Sequence, residues 1–257
     1  MMCIDGKGIR RVYRGSVRRN RTAILICMLL LPLLCFIYMT PLARTPYPIS
    51  MADCVVSTFE PFFLHFLLIP LSAVLVYLLT EQAERGVYAI RCTSRRSIYM
   101  GHVLCVVLVS LALALYSMLC ALAMGSLFAI DWINWDTFNS NYYITTWTLN
   151  ADVRFGSVVA ISLYSAFFSM LFVNLMALAI RLVFKNPVFG YMYMMGIGGW
   201  NLTVRQYPLI TGWLSIRYAS FLTPGNFAVG GILCSAAAMA LLVLGGALFE
   251  KKDFFKF

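Results

Sequence analysis

Few side chains in this sequence are equipped for chemistry, and their positions restrict what that chemistry can be. The only histidines, His65 and His102, both lie in long apolar runs. Metal-assisted hydrolysis requires histidines and carboxylates clustered on facing helices, and the sequence offers no such cluster. His65 is expected in the outer half of one span and His102 near the inner end of another, so antiparallel packing sets them at different depths. The eight cysteines (Cys3, Cys27, Cys35, Cys54, Cys92, Cys105, Cys120 and Cys234) fall mostly in apolar runs, where Cys acts as a small hydrophobe. They form no CxxC pair, so neither a zinc site nor a disulfide framework is expected. Gly6-Lys7-Gly8 lacks the upstream glycine, the hydroxyl residue and the preceding strand of a phosphate-cradling loop. No ATP hydrolysis and no cofactor are therefore expected in this chain.

Polar groups inside apolar runs are functional suspects because they are costly in lipid. Glu60 either binds a cationic substrate or reaches the outer water interface. His65 either lines a substrate pathway or is a packed, hydrogen-bonded histidine. Asn174 either contacts substrate or bonds a neighbouring helix. The spans lack the buried carboxylates of a proton relay and the charged row of a voltage sensor.

The elements that carry these groups follow from composition. Of 257 residues, 61% are hydrophobic and only 12% charged, about half the charged fraction of a soluble domain. Mean hydropathy is +0.83. So few charges cannot cover a water-facing surface. The apolar runs are long and continuous, without the alternation of barrel strands, so the fold class is all-α and polytopic. Six transmembrane helices are expected, near 22–40, 60–80, 98–130, 156–180, 188–204 and 227–249, with Pro32 kinking the first. The first run suits a retained span better than a cleaved signal. From Ser97 to Ile130 no charge occurs, so that helix must tilt, break near Gly125 or project past the bilayer. A Pro-rich outer loop is expected over 41–59, with Cys54 and Asp53 in it. A longer one, rich in Trp and Tyr, is expected over 131–155. Residues 205–226 suit a re-entrant or interfacial hairpin. Small residues at Ser165, Ser169, Gly230, Gly231, Gly245 and Gly246 permit close helix packing.

Orientation follows from lysine and arginine asymmetry. With both termini cytoplasmic, sixteen of the twenty Lys and Arg residues lie inside, and only Arg44, Arg154, Arg205 and Arg217 lie outside. Residues 1–21 hold seven of the basic residues, with Ile9, Val12, Tyr13 and Val17 at helical spacing. They are expected to form an amphipathic interfacial helix against lipid headgroups. The chain then reads as one transmembrane domain over 1–257: a basic interfacial helix at 1–21, six spans over 22–249 and a cytoplasmic tail at 250–257.

The segment 80–103, TEQAERGVYAIRCTSRRSIYMGHV, carries a family likeness. An acidic residue (Glu81 or Glu84), Gly86, the apolar run from Val87 through Tyr88 to Ile90, and Thr93-Ser94-Arg95 before the third span resemble the first cytoplasmic loop of type-2 ATP-binding-cassette (ABC) transporter permeases. The pattern departs from that family in lacking a Pro near Ser94-Arg95. The layout is similar too: six spans, a basic interfacial helix before the first, and a short hairpin before the sixth. The resemblance implies that this loop is a coupling helix docking into a groove of a separate ATPase subunit. Glu81, Glu84, Arg85, Gly86, Val87, Tyr88, Ile90, Arg91, Ser94 and Arg95 are the contact candidates. It further implies ATP and Mg bound by that partner, and a second permease chain, identical or related. The resulting expectation is a permease subunit of the bacterial cell membrane exporting a peptide, drug-like or amphipathic substrate, with no nucleic-acid partner. The residues alone leave open a plain solvated loop whose arginines enforce topology. Two other functions also stay open: a membrane anchor or sensory subunit that moves no substrate, and an ion-coupled carrier.

Overall fold

The computed structural model describes residues 6–81, 95–184, 187–204, 210–212, 214–221 and 224–251. Among these there is no strand, and the regular structure is helical. Nine helices organise it: α1 (Gly6–Arg19), α2 (Arg21–Ala43), α3 (Met51–Thr58), α4 (Ile69–Thr80), α5 (Arg95–Phe128), α6 (Asn141–Thr146), α7 (Phe155–Phe184), α8 (Pro187–Thr203) and α9 (Pro224–Lys251). A short turn at Pro61–Phe63 and a π-helical turn at Leu64–Leu68 join α3 to α4. Two 3-10 turns, Ile210–Gly212 and Tyr218–Phe221, lie between α8 and α9.

Five helical stretches among the described residues are long and apolar enough to cross a membrane: Arg21–Ala43, Met51–Thr80, Ile98–Phe128, Phe155–Phe184 and Phe227–Glu250. The short fifth run expected over 188–204 forms α8, with 17 residues. It reaches roughly 26 Å, short of the hydrocarbon thickness of about 30 Å. The fold is thus that of a multi-pass helical membrane protein, with five stretches of full spanning length among the described residues. Large apolar side chains point outward, among them Leu29, Ile232 and Val243. In water this surface would aggregate; in lipid it is the ordinary outer face.

α2 runs unbroken through Pro32 and Pro41. Pro32 has no N–H to give the carbonyl of Met28, and in lipid that carbonyl needs another donor. Tyr116 of α5 supplies it, its hydroxyl 2.8 Å from the Met28 oxygen. α5 also stays continuous where a break at Gly125 was one expectation. Gly125 is instead a contact point: a Cβ there would run into Met51 and Cys54 of α3. The 34 residues of α5 therefore form one rod of roughly 50 Å.

Close packing at the small residues takes specific forms. Gly231 of α9 lies against Tyr164 of α7, and Gly245 lies against Tyr99 of α5. The Tyr99 hydroxyl donates to the carbonyl of Leu242 at 2.9 Å. The Ser165 hydroxyl of α7 donates to the carbonyl of Leu214, pinning the segment before α9 to the bundle.

The second span departs most from expectation. Residues 51–58, expected in the outer loop, form α3, so Cys54 and Asp53 are buried in the bundle rather than exposed. A capping box explains why helix forms there. The Ser50 side chain accepts from the Asp53 amide, and the Asp53 carboxylate accepts from the Ser50 amide.

Candidate functional site

The first amides of a helix have no partner within it, and those of α3 draw the 131–155 segment over its start. The Met51 amide donates to the carbonyl of Asp131 (2.8 Å) and the Ala52 amide to that of Trp132 (3.0 Å). The Ile130 amide donates to the carbonyl of Ile49 at 3.0 Å. This brings the indole of Trp135 to Asp53, where Nε1 donates to Oδ1 at 3.0 Å. The other carboxylate oxygen accepts from the Ser50 amide and hydroxyl, both at 2.8 Å. A buried carboxylate is tolerated only when so provided with donors.

Aromatic rings close this cap. Trp135 stacks on Tyr142 at 4.4 Å between centroids and meets Phe221 at 5.2 Å. Tyr218 sets its edge to both Trp135 and Tyr142. The Tyr218 hydroxyl accepts from Asn141 Nδ2 at 2.9 Å. Burial, then the neighbouring Asp53 carboxylate, pushes the Tyr218 phenol well above its ordinary range.

Beside the cap, Glu60 occupies the break between α3 and the next turn. Its extended backbone, φ −57° and ψ 153°, is what a residue before proline adopts, and Pro61 follows it. The carboxylate accepts from the Tyr38 hydroxyl at 3.2 Å. Tyr38 itself packs on Phe62 and Phe63. Glu60 borders an open-sided cavity of about 470 Å³, whose walls include Phe62, Thr145, Thr146, Leu202 and Arg217. Tyr218 belongs to both the cap and the cavity wall. The Arg217 charge acts on Glu60 and on His65.

His65 and Asn174 stand elsewhere. His65 lies on the π-helical turn, a local widening often found at functional positions. Its Nδ1 donates to the carbonyl of Pro61 at 2.9 Å, which leaves Nε2 as an acceptor. Nε2 lies 3.3 Å from both the Thr211 hydroxyl and Asn201 Nδ2, and Asn201 also donates to Thr211 at 2.8 Å. α8 approaches this histidine at Gly198, where a Cβ would sit 3.1 Å from that of His65. Asn174 donates to Ser72 at 2.9 Å and to Ser110 at 3.3 Å, joining α7 to α4 and α5. Neither residue is in the wall of the Glu60 cavity.

At the opposite end, Asn20 Nδ2 donates to the carbonyl of Leu78 at 2.9 Å. The Tyr13 hydroxyl lies 2.7 Å from His102 Nδ1. Arg181 donates to Thr80 at 3.1 Å and sits over the Tyr77 ring. A crevice beside it, also bordered by Asn174, holds only about 40 Å³. Of the residues expected to contact an ATPase, Glu81 closes the second span and Arg95 opens α5. Glu84, Arg85, Gly86, Val87, Tyr88, Ile90, Arg91 and Ser94 lie outside the described residues.

Sequence reasoning singled out Glu60 but missed Arg217, Thr145 and Thr146 as its cavity partners. Arg217 stood out only as one of the four basic residues expected outside. No family model, no curated protein and no solved structure matches this chain.

Proposed function

We propose that this chain is the membrane permease subunit of an ATP-driven exporter with the type-2 ABC layout. It would work with a separate ATPase docking on segment 81–97 and with a second permease chain. In this reading α8 is the fifth of six spans, near the lower length limit for crossing. Both termini are cytoplasmic and α1 lies along the inner membrane surface, its arginines towards anionic headgroups. The cargo is a peptide, a drug-like molecule or another amphipathic compound.

One observation carries the reading: the helices flanking segment 81–97 are tied to α1 and lead directly to the Glu60 region. Asn20 bonds α4's last turn at Leu78, and Tyr13 bonds α5 at His102. From Arg95, α5 runs as a single rod to Gly125, where it packs on α3. A push at 81–97 therefore has a stiff route to α3, and α3 leads into Glu60. Rigid elements with two arrangements are what couple distant sites.

The test is co-purification with a Walker-motif ATPase and measurement of its stimulation by this chain. Glu84→Lys should lower stimulation about tenfold, as expected for a charge reversal of roughly 1.4 kcal/mol at a docking contact, with membrane insertion unchanged. Unaltered stimulation by that variant would count against docking at 81–97.

A further inference from the structure

We infer that the cavity between Glu60 and Arg217 binds a zwitterion carrying a primary ammonium and a phosphate or carboxylate on one short linker. At about 470 Å³ the space falls within the size range of small-molecule sites, roughly 300–1,000 Å³. Its wall carries one acidic and one basic side chain, Glu60 and Arg217. A simple cation gains from the carboxylate and loses at the guanidinium; a simple anion does the reverse. A molecule with both charges gains at both groups.

Hydrogen-bond capacity selects the kind of cation. Glu60 accepts from Tyr38 through Oε2, and an ionised carboxylate has about four acceptor positions. The exposed Thr145 commits its proton to the carbonyl of Asn141 at 2.8 Å, so its oxygen offers lone pairs to the cavity. Acceptors of this kind suit an ammonium with three N–H donors; a quaternary ammonium takes the charge attraction but none of the hydrogen bonds. Phe62 and Leu202 add apolar wall, and Phe62 is 49% exposed. That wall serves equally the headgroup of an ethanolamine phospholipid entering from the membrane and a soluble molecule with the same charge pair.

As a substrate site the cavity rests on the permease reading; as a binding site it does not, and the test needs no ATPase. Native mass spectrometry of the purified chain in detergent would compare four probes: dihexanoyl-phosphatidylethanolamine, its choline analogue, its glycerol analogue and glycerophosphoethanolamine. The ethanolamine lipid should bind about tenfold or more tightly than the choline and glycerol lipids. Binding of glycerophosphoethanolamine as well assigns the site to the soluble charge pair; binding of the lipid alone assigns it to a headgroup. E60Q should remove the preference for ethanolamine over choline, and R217Q should weaken both zwitterionic lipids alike. T145V changes only an exposed hydroxyl and serves if E60Q misfolds; it should narrow the ethanolamine preference severalfold. Equal binding of ethanolamine and choline lipids by the natural chain overturns the inference. So does an unchanged preference in a folded E60Q, or in T145V where E60Q does not fold. A chain that binds the zwitterion but recruits no ATPase would leave this site standing and remove the permease reading.

Discussion

Around Asp53 and Trp135 polar and aromatic side chains are bonded and stacked on one another, and a sizeable cavity opens beside them. The opposite end, where α1 meets α4 and α5, joins hydrogen bonds such as Asn20 to Leu78 and Tyr13 to His102 to a second apolar cluster that includes Ile98, Val106 and Phe249, and its crevice is about a tenth the size. The difference teaches where each task fits. A preorganised region can recognise a small molecule, since fixed groups need not be reordered on binding. The α5 rod joins the two, and in the proposed permease reading it is the element that would carry a displacement from one end to the other.

The contrast is open to direct tests in purified protein. The largest effect is expected from Trp135→Ala, which removes a fully buried ring at the centre of the cap. Thermal unfolding in detergent should show a loss of about 3–5 kcal/mol; a loss under 1 kcal/mol would mean the cap is not a structural unit.

A second test uses pH. The Tyr218 phenol is raised in the folded protein, so the folded state holds that proton more tightly than the unfolded one. Its contribution is complete below the unfolded value of about 10 and is lost as pH rises from there towards the folded value. Tm measured from pH 8 to 11 should fall more steeply for the natural chain than for Tyr218→Phe. Parallel curves would remove Tyr218 from the cap's energetics.

The smallest effect is expected at the other end. Tyr13→Phe removes one hydrogen bond, worth about 1 kcal/mol, and should scarcely move Tm. It should nevertheless increase protease or labelling access to α1. A loss comparable with that of Trp135→Ala would erase the distinction between the two ends.

Much of the helical frame is legible in the residues. Runs of about twenty apolar side chains cannot satisfy their backbone in lipid except as helices, and the spans near 22–40, 98–130, 156–180 and 227–249 emerge close to their expected limits. The start of the second span was hidden by local chemistry. Ser50 and Asp53 read as polar loop residues, and Pro46, Pro48 and Pro61 flank them. Only the reciprocal cap, with the Trp135 indole closing over it, turns that acid into a buried group. The short, glycine-rich fifth run expected over 188–204 emerges as a helix of the same length, Pro187–Thr203.

Glu60 was visible as an acid at the edge of an apolar run, but its cavity was not. Thr145 and Arg217 lie 85 and 157 positions away, and no local pattern links them. By itself the sequence determined that the chain must bury its backbone as helices in lipid, because hydropathy and charge are sums over neighbouring residues. Which side chains share a cavity was decided only by tertiary structure. Helices that cross at one end bring together groups separated by whole spans, and that proximity depends on packing contacts such as Gly125 on α3 and Ser165 on Leu214.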